Sequence, residues 1–255
     1  MKRFKYFKLP LVLFALSLIS CQQKNTDELT IATAANMQFA MKALVKEFTQ
    51  KTNIECELVI SSSGKLTAQI IEGAPYDVFV AANMKYPEAV YKKGFAANPP
   101  KVYAQGNLVL WSTSDSVTVS LSALTVANIK HIALANPKTA PYGVAALEVI
   151  NHNQLFDSIK DKLVYGESIA QTNQFITSQS AQIGFTSMST VLSPQMINKG
   201  KWIELDNSIY SPIEQGAVII KHNGKDGANA QNFYNFLFSK EAQRVLKEYG
   251  YSVNE

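Results

Sequence analysis

Apolar segments short enough for β-strands alternate along this chain with segments whose apolar residues recur at helical spacing. The first pair is the run 29–34 (LTIATA), which predicts a buried strand, followed by apolar residues three or four positions apart. Those residues are Met37, Met41, Leu44, Val45 and Phe48. Repeated alternation predicts an α/β fold with parallel strands and right-handed crossovers. In such folds, strand ends and helix starts gather along one edge, where ligands bind.

The same alternation continues to the C-terminus. Further strands are predicted at 54–60, 76–81, 108–111, 129–134, 163–165, 182–185 and 213–220. Helices are predicted at 66–72 before Gly73, from Pro87 to Gly94, at 144–150 and at 169–178. Two helices are predicted to close the chain, with Phe233, Phe236, Leu237, Val245 and Leu246 facing the core and Gly250 ending the second.

The N-terminus is typical of an export signal and not of the fold. Four basic residues, Lys2, Arg3, Lys5 and Lys8, precede an apolar stretch at 9–19 that is short for a transmembrane helix. The run 18–21 (LISC) resembles the bacterial lipoprotein signal, which predicts a signal peptide at 1–20, lipid attachment at Cys21 and a polar tether at 21–27. The alternative is an ordinary signal with an incidental cysteine.

Length and pattern together favour two lobes. About 230 residues follow the signal, enough for one large domain or for two lobes of roughly 100 residues each, and the strand-helix alternation favours two α/β lobes. Because no low-complexity linker divides the chain once, we expect it to cross between lobes more than once, near 105–108 and 212–215. We assign 28–106 and 214–255 to lobe 1 and 107–213 to lobe 2. Each lobe is expected to be a mostly parallel sheet flanked by helices, with a ligand cleft between the lobes.

Charge and cysteine content narrow the function classes. The chain has 24 Lys and Arg against 20 Asp and Glu, and four of the basic residues lie in the signal, so the remainder is neutral and nucleic-acid binding is not expected. With Cys21 lipidated, Cys56 is the only cysteine left, which excludes an intrachain disulfide and a cysteine metal cluster. The histidines, His131, His152 and His222, lack metal-ligand spacing, so no protein-bound metal is expected.

A serine-rich junction, Ser61 to Gly64, lies between a predicted strand and a predicted helix. Its hydroxyls, and the N–H groups that the first helical turn leaves without acceptors, can hold an anion without lysine or arginine. A capped turn is the commoner explanation of such a run by itself, because serine is a favoured N-cap. The junction therefore becomes a binding site only if the rest of the chain supports one.

Enzyme motifs match poorly. Gly64-Lys65 resembles part of a phosphate loop, but Val59 replaces the earlier glycine and Leu66 replaces the magnesium-binding Ser or Thr. The run 166–170 (GESIA) approaches a nucleophile elbow around Ser168 but lacks the last glycine, and His222 is the only histidine that follows it. We therefore expect no enzyme, with a hydrolase using Ser168 as the less favoured alternative.

Several motifs resemble the periplasmic molybdate-binding proteins, the solute receptors of molybdate ABC importers, over nearly the whole mature chain. They are 34–36 (AAN), 61–66 (SSSGKL) with 69–70 (QI), 72–79 (EGAPYDVF), 136–137 (NP), 141–143 (PYG), 233–234 (FY), Leu237 and 249–251 (YGY). The resemblance implies the two-lobed periplasmic-binding-protein fold of type II.

The resemblance also implies four ligand-binding residues. Asn36 would donate through its side-chain amide and backbone N–H, and Ser63 through its hydroxyl and backbone N–H. Tyr142 would contribute its backbone and its phenol, and Ile169 only a backbone N–H at a helix start. The chain departs from some relatives at two positions. Ala35 replaces a hydroxyl residue, and Ser187 falls where some carry a tyrosine, so Ser187 is left out of the site.

The function implied is capture of molybdate, and of tungstate, followed by delivery to an ABC permease in the inner membrane. The protein would be a monomeric lipoprotein facing the periplasm or the cell exterior, with no cofactor besides the transported oxyanion. A fully deprotonated oxyanion only accepts hydrogen bonds, so a pocket of neutral donors suits it. Receptors of the same fold for sulfate or phosphate stay open as alternatives. A ferric iron receptor would require converging tyrosines and carboxylates.

Overall fold

The protein is described by a computed structural model over residues 28–221 and 227–253. One five-stranded sheet has the order β2-β1-β3-β10-β4. Its strands are β1 (Leu29–Ala34), β2 (Cys56–Ser61), β3 (Val78–Ala81), β4 (Lys101–Gly106) and β10 (Ile213–Ile219). Strand β1 pairs in parallel with β2 and β3, and β10 pairs antiparallel with β3 and β4.

A second five-stranded sheet has the order β7-β6-β8-β5-β9. Its strands are β5 (Leu108–Ser112), β6 (Ile132–Ala135), β7 (Leu163–Gly166), β8 (Ile183–Ser187) and β9 (Lys201–Glu204). Strand β6 is parallel to β7 and β8, whereas β5 is antiparallel to β8 and β9. The predicted two-lobed α/β architecture is confirmed. Each sheet is more mixed than expected, because β5 and β10, the strands by which the chain enters one sheet from the other, run antiparallel to both of their neighbours.

Helices pack on both sheets. The longer ones are α1 (Gln38–Thr52), α2 (Ser63–Ile71), α3 (Lys85–Lys92), α4 (Pro141–His152), α6 (Ile169–Thr177), α8 (Ala228–Leu237) and α9 (Lys240–Glu248). Short helices are α5 (Phe156–Ile159) and α7 (Met188–Val191), and 3-10 turns lie at Ala35–Met37, Ser122–Thr125, Lys160–Lys162 and Asn207–Ile209. Every strand and long helix that the sequence predicts is present, within a few residues of its expected position.

Apolar packing holds helices α1, α8 and α9 to the first sheet. Phe48 and Phe233 meet edge-on with ring centroids 5.2 Å apart, and Phe236 packs against both. Cys56 lies half-buried against this cluster, and burial raises the pKa of its thiol to about 12. The thiol is therefore protonated at neutral pH and contributes packing.

Two strands were missed by the sequence analysis. Strand β4 has a mixed burial pattern, and β9 is an exposed or half-exposed edge strand, so neither carries a strong apolar period. The predicted strand at 129–134 begins at Ile132, because the backbone N–H of Ile129 closes a turn onto Val126 instead. Helix α4 begins three residues early, at Pro141, whose fixed φ suits a first helical position.

Several predictions fall outside the described residues. The signal peptide, the lipidation site at Cys21, the tether at 21–27 and His222 all lie there. Within the described ranges, no helix is long and apolar enough to cross a membrane, and no group of three His, Cys, Asp or Glu side chains is arranged to hold a metal ion.

Candidate functional site

A cavity lies between the two lobes, and all four predicted ligand residues line it: Asn36, Ser63, Tyr142 and Ile169. The rest of the lining is Ala34, Ala35, Ser62, Ala82, Ala140 and Pro141. None of these ten residues is acidic or basic. The phenol of Tyr142 is the one group among them that ionises, and burial raises its pKa well above the usual value, so the lining is uncharged at neutral pH.

Parallel strand register brings these residues together. Ala34 and Ser61 are register partners at the ends of β1 and β2, so the segments carrying Asn36 and Ser63 leave the sheet side by side. In the second sheet, Ala135 and Gly166 are register partners at the ends of β6 and β7. The segments that follow β6 and β7 lead to Tyr142 and Ile169. The segments that follow both pairs of strand ends contribute to the cavity lining.

Helix starts supply the donors. Ser63 and Ile169 are the first residues of α2 and α6, Tyr142 is the second residue of α4, and Asn36 lies in the 3-10 turn that leads into α1. Backbone N–H groups at these positions have no acceptor within their own helix, and the helix dipoles add partial positive charge. The cavity therefore suits an anion despite its uncharged lining.

In the serine-rich junction, Ser62 caps the helix and Ser63 lines the cavity. Ser62 is the N-cap of α2, its hydroxyl accepting from the backbone N–H of Lys65 at 3.5 Å. The hydroxyl oxygen of Ser63, which is buried, accepts from the backbone N–H of Ala82 at 2.9 Å. Since Ala82 occupies the oxygen of Ser63, the hydroxyl hydrogen of Ser63 is available to a ligand.

The side chain of Asn36 is engaged differently from the prediction. Its Nδ2 atom donates to Oε1 of Gln215 and to the hydroxyl of Tyr251, both at 2.9 Å. Both side-chain hydrogens are therefore used within the protein, and the backbone N–H is the donor left for a ligand. Gln215 and Tyr251 were missed by the sequence analysis. The available signal was a glutamine inside a strand of apolar residues, at a position that proves fully buried.

Tyr142 reaches the same buried glutamine. Its hydroxyl accepts from Nε2 of Gln215 at 3.5 Å. A Cβ atom at Gly106 would lie 2.1 Å from that hydroxyl, so only glycine leaves room for the phenol here. The tyrosine is therefore held with its ring buried and its backbone N–H at the start of α4.

The two sides of the cleft are in contact outside the cavity. The backbone N–H of Gly64 donates to the carbonyl oxygen of Thr139 at 2.9 Å, and Lys65 forms an ion pair with Glu167. Both side chains of the pair are largely exposed, so its contribution to stability is small. Lys65 is not part of the lining, and the two contacts join the lobes across the cleft.

The remaining candidates lie outside the cavity or offer no side-chain donor. Ser187 is fully buried and bonds with Ser189 and Thr190. Ser168 is the N-cap of α6, its hydroxyl accepting from the backbone N–H of Gln171 at 3.4 Å. Ala35 lines the cavity without a hydroxyl. The serine proposed for a hydrolase is therefore explained by helix capping.

Sequence and structure comparisons both find similarity to molybdate-binding proteins. The chain is 37% identical over 238 residues to the molybdate-binding protein ModA of Azotobacter vinelandii, covering 92% of this chain and 94% of that protein. It is 34% identical over 225 residues to ModA of Rhodobacter capsulatus, covering 88% of each. The solved Azotobacter vinelandii periplasmic molybdate-binding protein matches with a TM-score of 0.84 and 32% identity, over 89% of this chain and 100% of that one.

A more distant structure shares the fold alone. The sulfate-binding protein SubI from Mycobacterium tuberculosis matches with a TM-score of 0.71 at 13% identity, over 88% of this chain and 86% of that one. The close relatives are solute-binding proteins and not enzymes. Residues 29–252 match the family described as bacterial extracellular solute-binding protein. The chain therefore belongs to the bacterial extracellular solute-binding protein family.

Proposed function

We propose that this protein captures molybdate between its two lobes and delivers it to a membrane permease of an ABC importer. The observation that carries the proposal is the uncharged cavity into which four helix starts place Asn36, Ser63, Tyr142 and Ile169. These four residues are proposed as the ligands. The names of the close relatives support the choice of molybdate.

The donor set suits an oxyanion that carries two charges and no proton. Backbone N–H groups and the hydroxyl of Ser63 only need an acceptor, and molybdate at neutral pH offers acceptors alone. Phosphate keeps a proton near neutral pH and would need an acceptor such as a carboxylate, which the lining does not provide. Sulfate has the right charge but shorter bonds to oxygen, so its oxygens would reach fewer donors at once.

Tungstate is proposed as a second ligand, because its charge, shape and size nearly equal those of molybdate. Binding is proposed to close the lobes by a hinge, with lobe 1 at 28–106 and 214–255 and lobe 2 at 107–213. The chain crosses between the sheets at Asn107 and again between β9 and β10, and these crossings support a hinge at the two connections. No cofactor enters this mechanism, since the oxyanion is the cargo.

The protein is proposed to act outside the cytoplasm as a monomeric lipoprotein. A lipid on Cys21 would anchor it, and residues 21–27 would let the folded lobes stand off the membrane and reach a permease in the inner membrane. The extracytoplasmic role of its family supports this location.

Calorimetric titration of the lipid-free protein with molybdate, tungstate, sulfate and phosphate tests the proposal. We expect saturable binding of molybdate and tungstate. Sulfate should bind with an affinity at least about 100-fold lower. No heat and no thermal stabilisation with molybdate would reject the proposal, and preferential binding of sulfate would assign the cavity to that anion instead.

A further inference from the structure

A buried polar network lies directly behind the cavity and joins the two lobes. We call it the interlobe network; its members are Asn36, Tyr103, Tyr142, Ser189, Gln215 and Tyr251. Gln215 lies at its centre, on β10, and is fully buried. Ser189, from the second lobe, donates to the backbone carbonyl of Asn36 at 2.7 Å. The network therefore bridges the lobes at the point where the anion is proposed to bind.

Gln215 contacts two of the proposed ligand residues through different atoms. Its Oε1 atom accepts from Nδ2 of Asn36 at 2.9 Å and from the hydroxyl of Tyr103 at 3.3 Å. Its Nε2 atom donates to the hydroxyl of Tyr142 at 3.5 Å, a long contact. One amide thus serves as acceptor toward Asn36 and as donor toward Tyr142.

This orientation decides which side chain can donate to an anion. Asn36 has two side-chain hydrogens, and they go to Gln215 and Tyr251, so none remains for the cavity. Tyr142 accepts from Gln215, so this bond does not use the single hydrogen of the Tyr142 hydroxyl. That hydrogen can go to an anion or to the neighbouring hydroxyl of Tyr251.

The reverse orientation of the Gln215 amide would leave Asn36, and not Tyr142, as the donor to the anion. If the amide of Gln215 turns over, its oxygen takes the hydrogen of Tyr142 and its nitrogen donates toward Asn36. The amide of Asn36 must then turn as well, because two amide nitrogens would otherwise face each other, each presenting a hydrogen. Asn36 then accepts from Gln215 and Tyr251 through its oxygen, and its N–H groups are released from both partners and become available to an anion.

We propose that Gln215 is a positioning residue that assigns one side-chain donor to the bound anion, either the hydroxyl of Tyr142 or the amide of Asn36 but not both. The inference rests on the proposed function. The hydroxyls around Gln215 stay protonated near neutral pH, because burial raises the pKa of Tyr103 and Tyr142 well above its usual value and that of Tyr251 to about 12. The assignment is therefore set by hydrogen-bond direction and not by titration.

Affinities of single and double variants test this assignment. Molybdate titrations compare the wild type with Tyr142→Phe, with Asn36→Ala and with the double variant, and the set is repeated with Gln215→Met. With Gln215 present, each single variant keeps the other donor, so we expect losses below about fivefold, and a loss above about 100-fold in the double variant. With Gln215→Met, neither Asn36 nor Tyr142 is bonded to a glutamine. The affinity losses caused by Asn36→Ala and Tyr142→Phe should then simply multiply in the double variant.

Each outcome decides the proposal. Single losses that multiply with Gln215 present would mean two independent donors and would overturn it, as would an excess loss that persists with Gln215→Met. Wild-type protein that fails to bind molybdate would instead reject the proposed function. Tyr234→Phe, at a buried hydroxyl in α8, controls for the loss of a buried tyrosine hydroxyl as such.

If Gln215→Met does not fold, Gln215→Glu replaces it. An ionised carboxyl only accepts, so it would hold the hydrogens of both Asn36 and Tyr142 and leave the anion neither donor. We expect affinity to fall as pH rises through the pKa of that carboxyl, and adding Tyr142→Phe at high pH should then cost nothing further. A further loss of tenfold or more on adding Tyr142→Phe would show that the hydroxyl still serves the anion, and would overturn the proposal.

Discussion

The hydroxyl oxygen of Ser63 accepts a 2.9 Å hydrogen bond from the backbone N–H of Ala82, across 19 positions of sequence. This contact orients the hydroxyl and fills its acceptor role, which leaves the hydrogen for a ligand. It also ties the start of α2 to the segment after β3. Ser63 is therefore a donor held in place before any anion arrives, and this preorganisation lowers the entropic cost of binding.

Replacing Ser63 with alanine should weaken molybdate binding by about 1 to 3 kcal/mol, the usual cost of removing a donor to a charged group. Calorimetric titration measures the change. Ser239→Ala is the matched control, because Ser239 caps α9 through the backbone N–H of Ala242 at 3.2 Å and lies outside the cavity lining. It should cost about 1 kcal/mol of stability and leave affinity unchanged. Equal affinity in Ser63→Ala and wild type would contradict the ligand role.

Replacing Gly64 with alanine should hinder closure of the cleft. The new Cβ would lie 2.9 Å from Cα and 3.0 Å from the carbonyl oxygen of Thr139, both backbone atoms. We expect molybdate affinity to fall on the order of tenfold, because closure is paid from binding energy. Small-angle scattering should show a smaller contraction on adding the anion. Gly227→Ala, which meets no heavy atom within 4 Å, should change neither quantity.

Neutralising Lys65 should change affinity little. Its ammonium pairs with Glu167 at an exposed position outside the cavity lining, where an ion pair contributes about 0 to 1 kcal/mol. Lys65→Met should therefore keep molybdate affinity within about threefold of wild type, and Glu167→Gln should behave similarly. A loss of 100-fold in Lys65→Met alone would mean that the lysine contacts the anion.

The buried tyrosines should make stability fall at high pH. Burial raises the pKa of Tyr251 from 10.0 to about 12, and those of Tyr103 and Tyr142 rise well above 10.0. Below pH 10 these hydroxyls are protonated in both states. Above it the unfolded chain releases protons that the folded chain keeps, so the free energy of unfolding decreases, by up to about 1.4 kcal/mol per pH unit for each tyrosine.

Denaturant unfolding between pH 9 and 12 measures this slope. Tyr251→Phe removes one of the groups, so its stability should start lower, since the hydrogen bonds to Asn36 are lost, but decline less steeply with pH. Identical slopes in the variant and the wild type would contradict the contribution of Tyr251.

Replacing Cys21 with alanine should release the protein from membranes, because an acyl anchor on this residue is the proposed attachment. Fractionation of expressing cells, with detection of the protein in membrane and soluble fractions, measures the change. Cys56→Ala is the control, since Cys56 lies half-buried in the fold and should leave the distribution unchanged. Membrane retention of Cys21→Ala would exclude the lipid anchor.

Much of the fold is readable along the chain. The apolar run of β1 and the helical period of α1 are local patterns, and the two lie where predicted. The strands β4 and β9 were missed because their pairing partners, and not their own sequences, make them strands. The antiparallel direction of β5 and β10 is likewise set by where the chain crosses between sheets.

The candidate site divides in the same way. The sequence by itself determined the alternation of strands and helices, and with the family resemblance it placed Asn36, Ser63, Tyr142 and Ile169 at helix starts that proved to face one cavity. Only the tertiary structure decided that both amide hydrogens of Asn36 are taken by Gln215 and Tyr251, which lie 179 and 215 positions away in the chain. Helix starts follow from local patterns, whereas the direction of a buried hydrogen bond depends on partners that only folding brings within reach.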